Sequence, residues 1–94
     1  MHKNESHSDQ LYAIENEAQR ADDKYGDFAS MHEAYGVLAE EVDELFDLVK
    51  LKQGSSTYAH GSTRLTREQM IANEAIQVAA VALRIAEQAY RVTR

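Results

Sequence analysis

The chain predicts an all-α fold, a bundle of three main helices. Three observations point there: no proline in 94 residues, an abundance of Ala, Glu, Leu and Gln, and apolar residues recurring at helical intervals along three separate stretches. Hydrophobic residues make up 44% and charged residues 28%, the balance of a globular protein. A chain this short lies near the lower limit for a self-sufficient core, so a second copy is expected to complete the bundle.

Residues 1–7, MHKNESH, read as a polar and frayed leader, and residues 8–94 as a single helical domain. The first helix is expected from about Ser8 to Tyr25, where Leu11, Ile14 and Ala18 form a stripe that Ala21 and Tyr25 continue. Gly26 suits its C-terminal cap. Ser30 and Glu33 match a capping box that opens a second helix running to about Lys52. The segment QGSSTYAHGSTRL, 53–65, has no periodicity and reads as a mobile loop of a length that is often functional. A third helix begins at Thr66, with Gln69 three residues on as a weaker capping box, and continues to about Tyr90.

Composition excludes several functions. Without cysteine there is no disulfide framework, no nucleophilic thiol and no thiolate metal site, so a metal would be held by oxygen or imidazole. A net charge of −6 speaks against binding a nucleic-acid backbone. It is compatible with a small phosphorylated ligand accompanied by a divalent cation. No apolar run is long enough to span a bilayer, and the start lacks the apolar core of a signal peptide, so a cytoplasmic protein without a membrane partner is expected.

On a wheel of about 100° per residue, the second helix gathers Leu38, Val42, Leu45 and Val49 into an apolar arc flanked by Phe46 and Leu48. That arc is the expected core face. Glu40, Asp43 and Asp47 project from the opposite side as a solvated acidic face. Glu41 falls inside the apolar sector and Glu44 at its edge, where a carboxylate must be paired, metal-bound or protonated. The third helix is apolar nearly all round between Ala75 and Ala86, interrupted only by Gln77 and Arg84, and Glu74 continues the line of Val78, Val81 and Ile85. Each of two helices thus carries a polar pair at spacing i, i+3, and the pairs converge if the helices run antiparallel. Two readings stay open: oxygen ligands for Mg²⁺ or Mn²⁺, or carboxylates held in buried ion pairs with Arg84, Lys50 or Arg20.

The motif EEVDE, Glu40 to Glu44, followed by EAIQ, Glu74 to Gln77, resembles the MazG-type all-α nucleoside triphosphate pyrophosphohydrolases, in particular small members of phage and mobile-element type. The likeness extends over residues from about 24 to 90. It implies Mg²⁺ bound by Glu41, Glu44 and Glu74, hydrolysis of a nucleoside triphosphate to the monophosphate and pyrophosphate, and assembly as a homodimer or a dimer of dimers. Glu40 matches the first acid of the motif, which in such sites assists a second ion or the attacking water. Gln77 stands where the family carries Asp; an amide oxygen ligates a metal but brings no charge, so a degenerate, non-catalytic interaction module of the same fold is the competing expectation.

Other polar residues carry weaker signals. Lys50, Lys52, Arg64 and Arg67 flank the expected loop and are placed either to contact phosphates or simply to favour helix ends. Arg84 and Arg91, read on the polar side of the third helix, are candidates to reach a nucleotide or a second subunit. Tyr12, Tyr25, Phe28, Tyr35, Phe46 and Tyr90 are expected in the core and in subunit contacts.

Overall fold

The computed structural model describes residues 3–58 and 63–93. Helix α1 spans Lys3–Tyr25, α2 spans Met31–Val49 and α3 spans Arg67–Thr93, with two short strands, β1 (Ser56–Tyr58) and β2 (Arg64–Thr66), between α2 and α3. The helical bundle read from the sequence is the architecture observed. Several boundaries differ, with α2 ending at Val49 where Lys52 was expected and α3 reaching Thr93 where Tyr90 was expected. Helix α1 already begins at Lys3, because no glycine or proline separates the polar leader from the amphipathic stretch. The expected loop contains an antiparallel pair in which Thr57 faces Leu65, a register of β-branched and apolar residues too short to show periodicity. Residues 1–2 of the leader and 59–62 of the loop, His60 included, lie outside the described residues.

Each helix end has a local cause. Gly26 takes φ 71° and its N–H donates to Asp22 O at 2.8 Å, a left-handed cap that stops α1. Ser30 Oγ accepts from the Glu33 N–H at 3.0 Å, while the Glu33 carboxylate reaches back one residue further than expected, to the Ala29 N–H at 2.7 Å. At α3 the box is reciprocal: Thr66 Oγ1 accepts from the Gln69 N–H and Gln69 Oε1 from the Thr66 N–H. Arg67 then closes the end of α2, donating to Val49 O at 2.8 Å and to Leu51 O at 2.9 Å, so its guanidinium serves a helix C-terminus.

Arg67 joins the start of α3 to the end of α2, and Gln88 joins the end of α3 to Phe28 just ahead of α2, with hydrogen bonds to the Phe28 N–H and C=O. Helices α2 and α3 are therefore antiparallel, as their convergence of acids requires. Helix α1 packs on α3 rather than on α2. Its last turn is tied down by Arg84, which donates to Asp22 Oδ1 and Gly26 O at 2.8 Å each and lies over the Phe28 ring. Arg84 is 7% exposed, so its expected place on a polar helix face is corrected: it is an internal latch between α1, the α1–α2 connection and α3.

The core is small and built mainly of alanine. Ala18, Ala21, Phe28, Ala34, Ala80 and Val81 are buried, with Val37, Leu38 and Ile85 packed against Phe28, Ala34 and Val81. The apolar arc expected to be the core face of α2 is enclosed in part: Leu38 and Leu45 are half-buried, whereas Val42 is 45% exposed, Val49 44% and the flanking Phe46 58%. The face of α2 that does meet α3 is turned toward Ala34, Val37, Glu41, Leu45 and Leu48. Of the six aromatics expected in packing, Phe28 is buried, whereas Tyr12, Tyr25, Tyr35, Phe46 and Tyr90 are exposed within the single chain.

Candidate metal centre

Glu41 and Glu44 stand one turn apart on α2, on the side that faces the antiparallel α3. Glu74 projects from α3 to meet them, and one carboxylate oxygen from each residue lies within 4.8 Å of the others. Glu41 and Glu74 are half-buried and Glu44 is exposed at the rim. Three negative groups this close repel one another unless protonated or bridged. Burial, the adjoining Glu41 carboxylate and the charges of Glu41 and Glu44 push the Glu74 carboxyl up to about 8. The charge of Glu41, above all, also raises Glu44, reinforced by slight desolvation.

The ion-pair reading of these acids is not realised among the described residues. Lys50 pairs with Asp47 at 3.2 Å, Arg20 with Glu17, and Arg84 with Asp22 at 2.8 Å, so all three cations named for the purpose are engaged elsewhere. Glu74 Oε2 is buried with no hydrogen-bond partner. A buried, unpartnered carboxylate oxygen beside two further carboxylates fits a hard divalent cation. Ligands of one Mg²⁺ at about 2.0–2.1 Å lie no more than about 4.2 Å apart. The observed spacing therefore needs only a small side-chain adjustment to close around an ion.

Beside the acids lies a groove of about 560 Å³, walled by α1 on one side and α2 on the other and floored by α3, within the size range of small-molecule sites. Glu17 and Arg20 line it from α1, Phe28 from the connection, Glu41 from α2, and Gln77 and Arg84 from α3. Glu41 thus belongs to both the acidic cluster and the groove. Gln77, one turn after Glu74, is half-buried and lines the groove opposite Glu17 of α1.

The remaining sequence candidates fall elsewhere. Glu40 is exposed on α2 outside the groove lining, although its charge reaches Glu44. Lys50 and Lys52 follow the end of α2, about 13 Å of helix rise beyond Glu41, and neither lines the groove. Lys50 lies over the Phe46 ring, 4.9 Å from its centroid. Arg84 does line the groove, but its contacts to Asp22, Gly26 and Phe28 hold it as part of the wall.

Glu17 was not singled out by sequence. Its signal was present: it lies between Ile14 and Ala21 at spacings of three and four, on the stripe that packs against α3. Arg20 holds its carboxylate below the usual range, helped by Gln77. Comparison with family models, curated proteins and solved structures gives no match for this chain.

Proposed function

We propose that this protein is a Mg²⁺-dependent nucleoside triphosphate pyrophosphohydrolase of MazG-like type, and that Glu41, Glu44 and Glu74 hold the cation (Mg²⁺, or Mn²⁺ in its place). One observation carries the reading: three carboxylates converge beside a groove, among the described residues no Lys or Arg pairs with them, and Glu74 Oε2 is left buried without a partner. The resemblance of EEVDE and EAIQ to the family motifs supports the same assignment. When bound, the ion supplies charge neutralisation on the polyphosphate and activates water for attack. Glu41 shares the cluster with the groove and so joins ion to substrate, and Glu40, one turn from Glu44, is the carboxylate assigned to orient the water. Water adds at the α-phosphorus and pyrophosphate leaves.

The purified protein, given Mg²⁺ or Mn²⁺ and a panel of ribo- and deoxyribonucleoside triphosphates, is expected to release pyrophosphate. Glu41→Gln should abolish both turnover and saturable Mn²⁺ binding. No pyrophosphate from any nucleotide, together with nucleotide binding unchanged in Glu41→Gln, would overturn the reading.

The competing reading is a non-catalytic interaction module, favoured by the neutral Gln77 and by the exposed apolar face of α2 at Val42, Phe46 and Val49. It requires that Mn²⁺ show no saturable binding sensitive to Glu44→Ala. Under either reading this face is assigned to a homodimer or dimer of dimers, because no large side chain among the described residues is completely buried in the single chain.

A further inference from the structure

The groove between α1 and α2 is lined by Glu17, Asp27, Glu33 and Glu41, and three of these acids are spent on the fold or on the acidic cluster. Glu33 accepts from the Ala29 N–H, Asp27 pairs with Arg91, and Glu41 stands with Glu44 and Glu74. Glu17 is the fourth. Arg20, one turn along α1, holds its carboxylate with Nε at 3.1 Å from Oε1 and 3.2 Å from Oε2, and with Nη2 on Oε2. The Glu17 side chain is 18% exposed and that of Arg20 56%, so the guanidinium holds the acid from the solvent side and keeps it ionised. A carboxylate has about four lone-pair directions. Two donors from Arg20 therefore leave room for two more N–H groups.

The rest of the lining says what could bring them. Ala21, Phe28, Val37, Ala80 and Val81 give the groove apolar surface from α1, the connection, α2 and α3. Tyr25, 65% exposed, adds an aromatic ring that packing within the chain leaves uncovered, and such rings stack on nucleobases. The acids make the same space unfavourable for phosphate, so the part of a nucleotide suited to it is the flat, uncharged base. An ionised carboxylate only accepts hydrogen bonds. Guanine is the base whose Watson–Crick edge offers two adjacent donors, N1–H and N2–H₂. Adenine and cytosine place an acceptor next to their one amino group, and uracil and thymine hold a single N–H between two carbonyls.

We propose that the groove takes the base of a guanine nucleotide, and that Glu17, held by Arg20, sets this preference by accepting from guanine N1–H and N2–H₂. The proposal rests on the nucleotide reading above, whose substrate class it narrows. It does not rest on the cation, because base recognition at Glu17 needs no metal.

The test is calorimetric titration of the full chain with GMP, IMP, AMP, CMP and UMP in chelator. A matched bidentate pair discriminates between bases by about 10–100-fold. GMP should therefore bind tightest, and IMP, which keeps N1–H but lacks the amino group, at least about tenfold more weakly. Glu17→Gln presents one acceptor and one donor, the pattern that suits adenine and cytosine, so it should bind AMP or CMP at least as tightly as GMP. Equal affinity of the parent for GMP and AMP, or a preference for GMP that survives in Glu17→Gln, overturns the proposal. The ratio of GMP to IMP affinity in the parent needs no variant and decides the matter should Glu17→Gln fail to fold. Pyrophosphate released from all triphosphates, with no preference among the monophosphates, overturns this inference alone. Selection of GMP with no pyrophosphate from any triphosphate supports this inference and sinks the hydrolase reading. No binding of any nucleotide overturns both.

Discussion

Glu41 and Glu74 meet across the α2–α3 seam, where burial and the adjoining Glu41 raise the pKa of Glu74 and no cation among the described residues is paired with either. Two acids from antiparallel helices share a space that packing would ordinarily fill with apolar side chains. In the metal-free protein a proton relieves their repulsion; a bound cation of the kind proposed above would replace it.

This relationship makes stability depend on pH. Glu74 has an ordinary value of 4.5, which is kept by the unfolded chain, and about 8 in the folded one. Between those values the folded state holds a proton that the unfolded state has released, so the stabilisation is fully present below pH 4.5 and is lost as pH rises through 8. Glu44, also raised, acts in the same direction. Glu17 is lowered and acts oppositely, losing its contribution as pH falls through its depressed value. Thermal melts in chelator should give a Tm that falls from pH 5 toward pH 8, and saturating Mg²⁺ should flatten the fall by displacing the proton. A Tm that rises over this interval in chelator contradicts a proton-holding Glu74.

Replacing Glu74 by Gln separates fold from function. The amide keeps the shape and removes the charge that α3 must otherwise neutralise, so at pH 8 in chelator Glu74→Gln should be more stable than the parent. The expected gain is on the order of 1 kcal/mol, or about 4–8 °C in Tm for a domain of this size. The same variant should lose saturable Mn²⁺ binding and pyrophosphate release. Equal Tm values at pH 8, combined with parental Mn²⁺ affinity, would show that Glu74 neither carries the strain nor holds an ion.

How far the sequence reaches depends on which force decides a feature. Local chemistry was legible: Gly26, the Ser30–Glu33 start and the reciprocal Thr66–Gln69 box stand where their residue types placed them. The convergence of Glu41, Glu44 and Glu74 was legible too, because helical periodicity fixes which side chains share a face. What failed was the exact direction of each face. A wheel finds the centre of apolar mass, and on α2 that centre includes Val42, Phe46 and Val49, which the single chain leaves exposed. Arg84 was misplaced for a related reason: an arginine within an apolar run signals a buried partner, but the partner, Asp22, is 62 residues away. Glu17 was overlooked because a charged residue on a stripe of small apolar ones reads as solvent-facing until α3 is placed beside it.

The exposed arc of α2 leads to a prediction about assembly. Val42, Phe46 and Val49 follow one another at helical spacing on a face that α3 does not cover, and an apolar surface of that kind favours association. Phe46→Glu should shift the protein to monomer in sedimentation or light scattering while leaving the helix content unchanged, because the side chain is already 58% exposed in the single chain. If the parent protein is itself monomeric at micromolar concentration, the assignment of this face to a homodimer fails. If Phe46→Glu retains the parental mass, the interface lies elsewhere.

Arg84 supports a last prediction, on stability rather than chemistry. Its guanidinium makes directed contacts that no other side chain reproduces together: Asp22 Oδ1, Gly26 O and the face of Phe28. Arg84→Met keeps the aliphatic stem but leaves Gly26 O and Asp22 without their donor. Asp22 is partly solvated, with 39% of its side chain exposed, and water recovers some of the loss there. A destabilisation of about 2 kcal/mol is therefore expected, below the 3–5 kcal/mol typical of a fully buried pair. Arg84→Lys should fall close behind, since an ammonium lacks the planar fork that serves two acceptors while lying over a ring. Urea denaturation followed by circular dichroism measures both. The groove depends on the same latch, so each variant should also lower nucleotide affinity, whereas Mn²⁺ binding at Glu41, Glu44 and Glu74, farther along α3, should persist. Parental stability in Arg84→Met would mean that α1 is held to α3 by its alanines, Ala18 and Ala21, without help from the arginine.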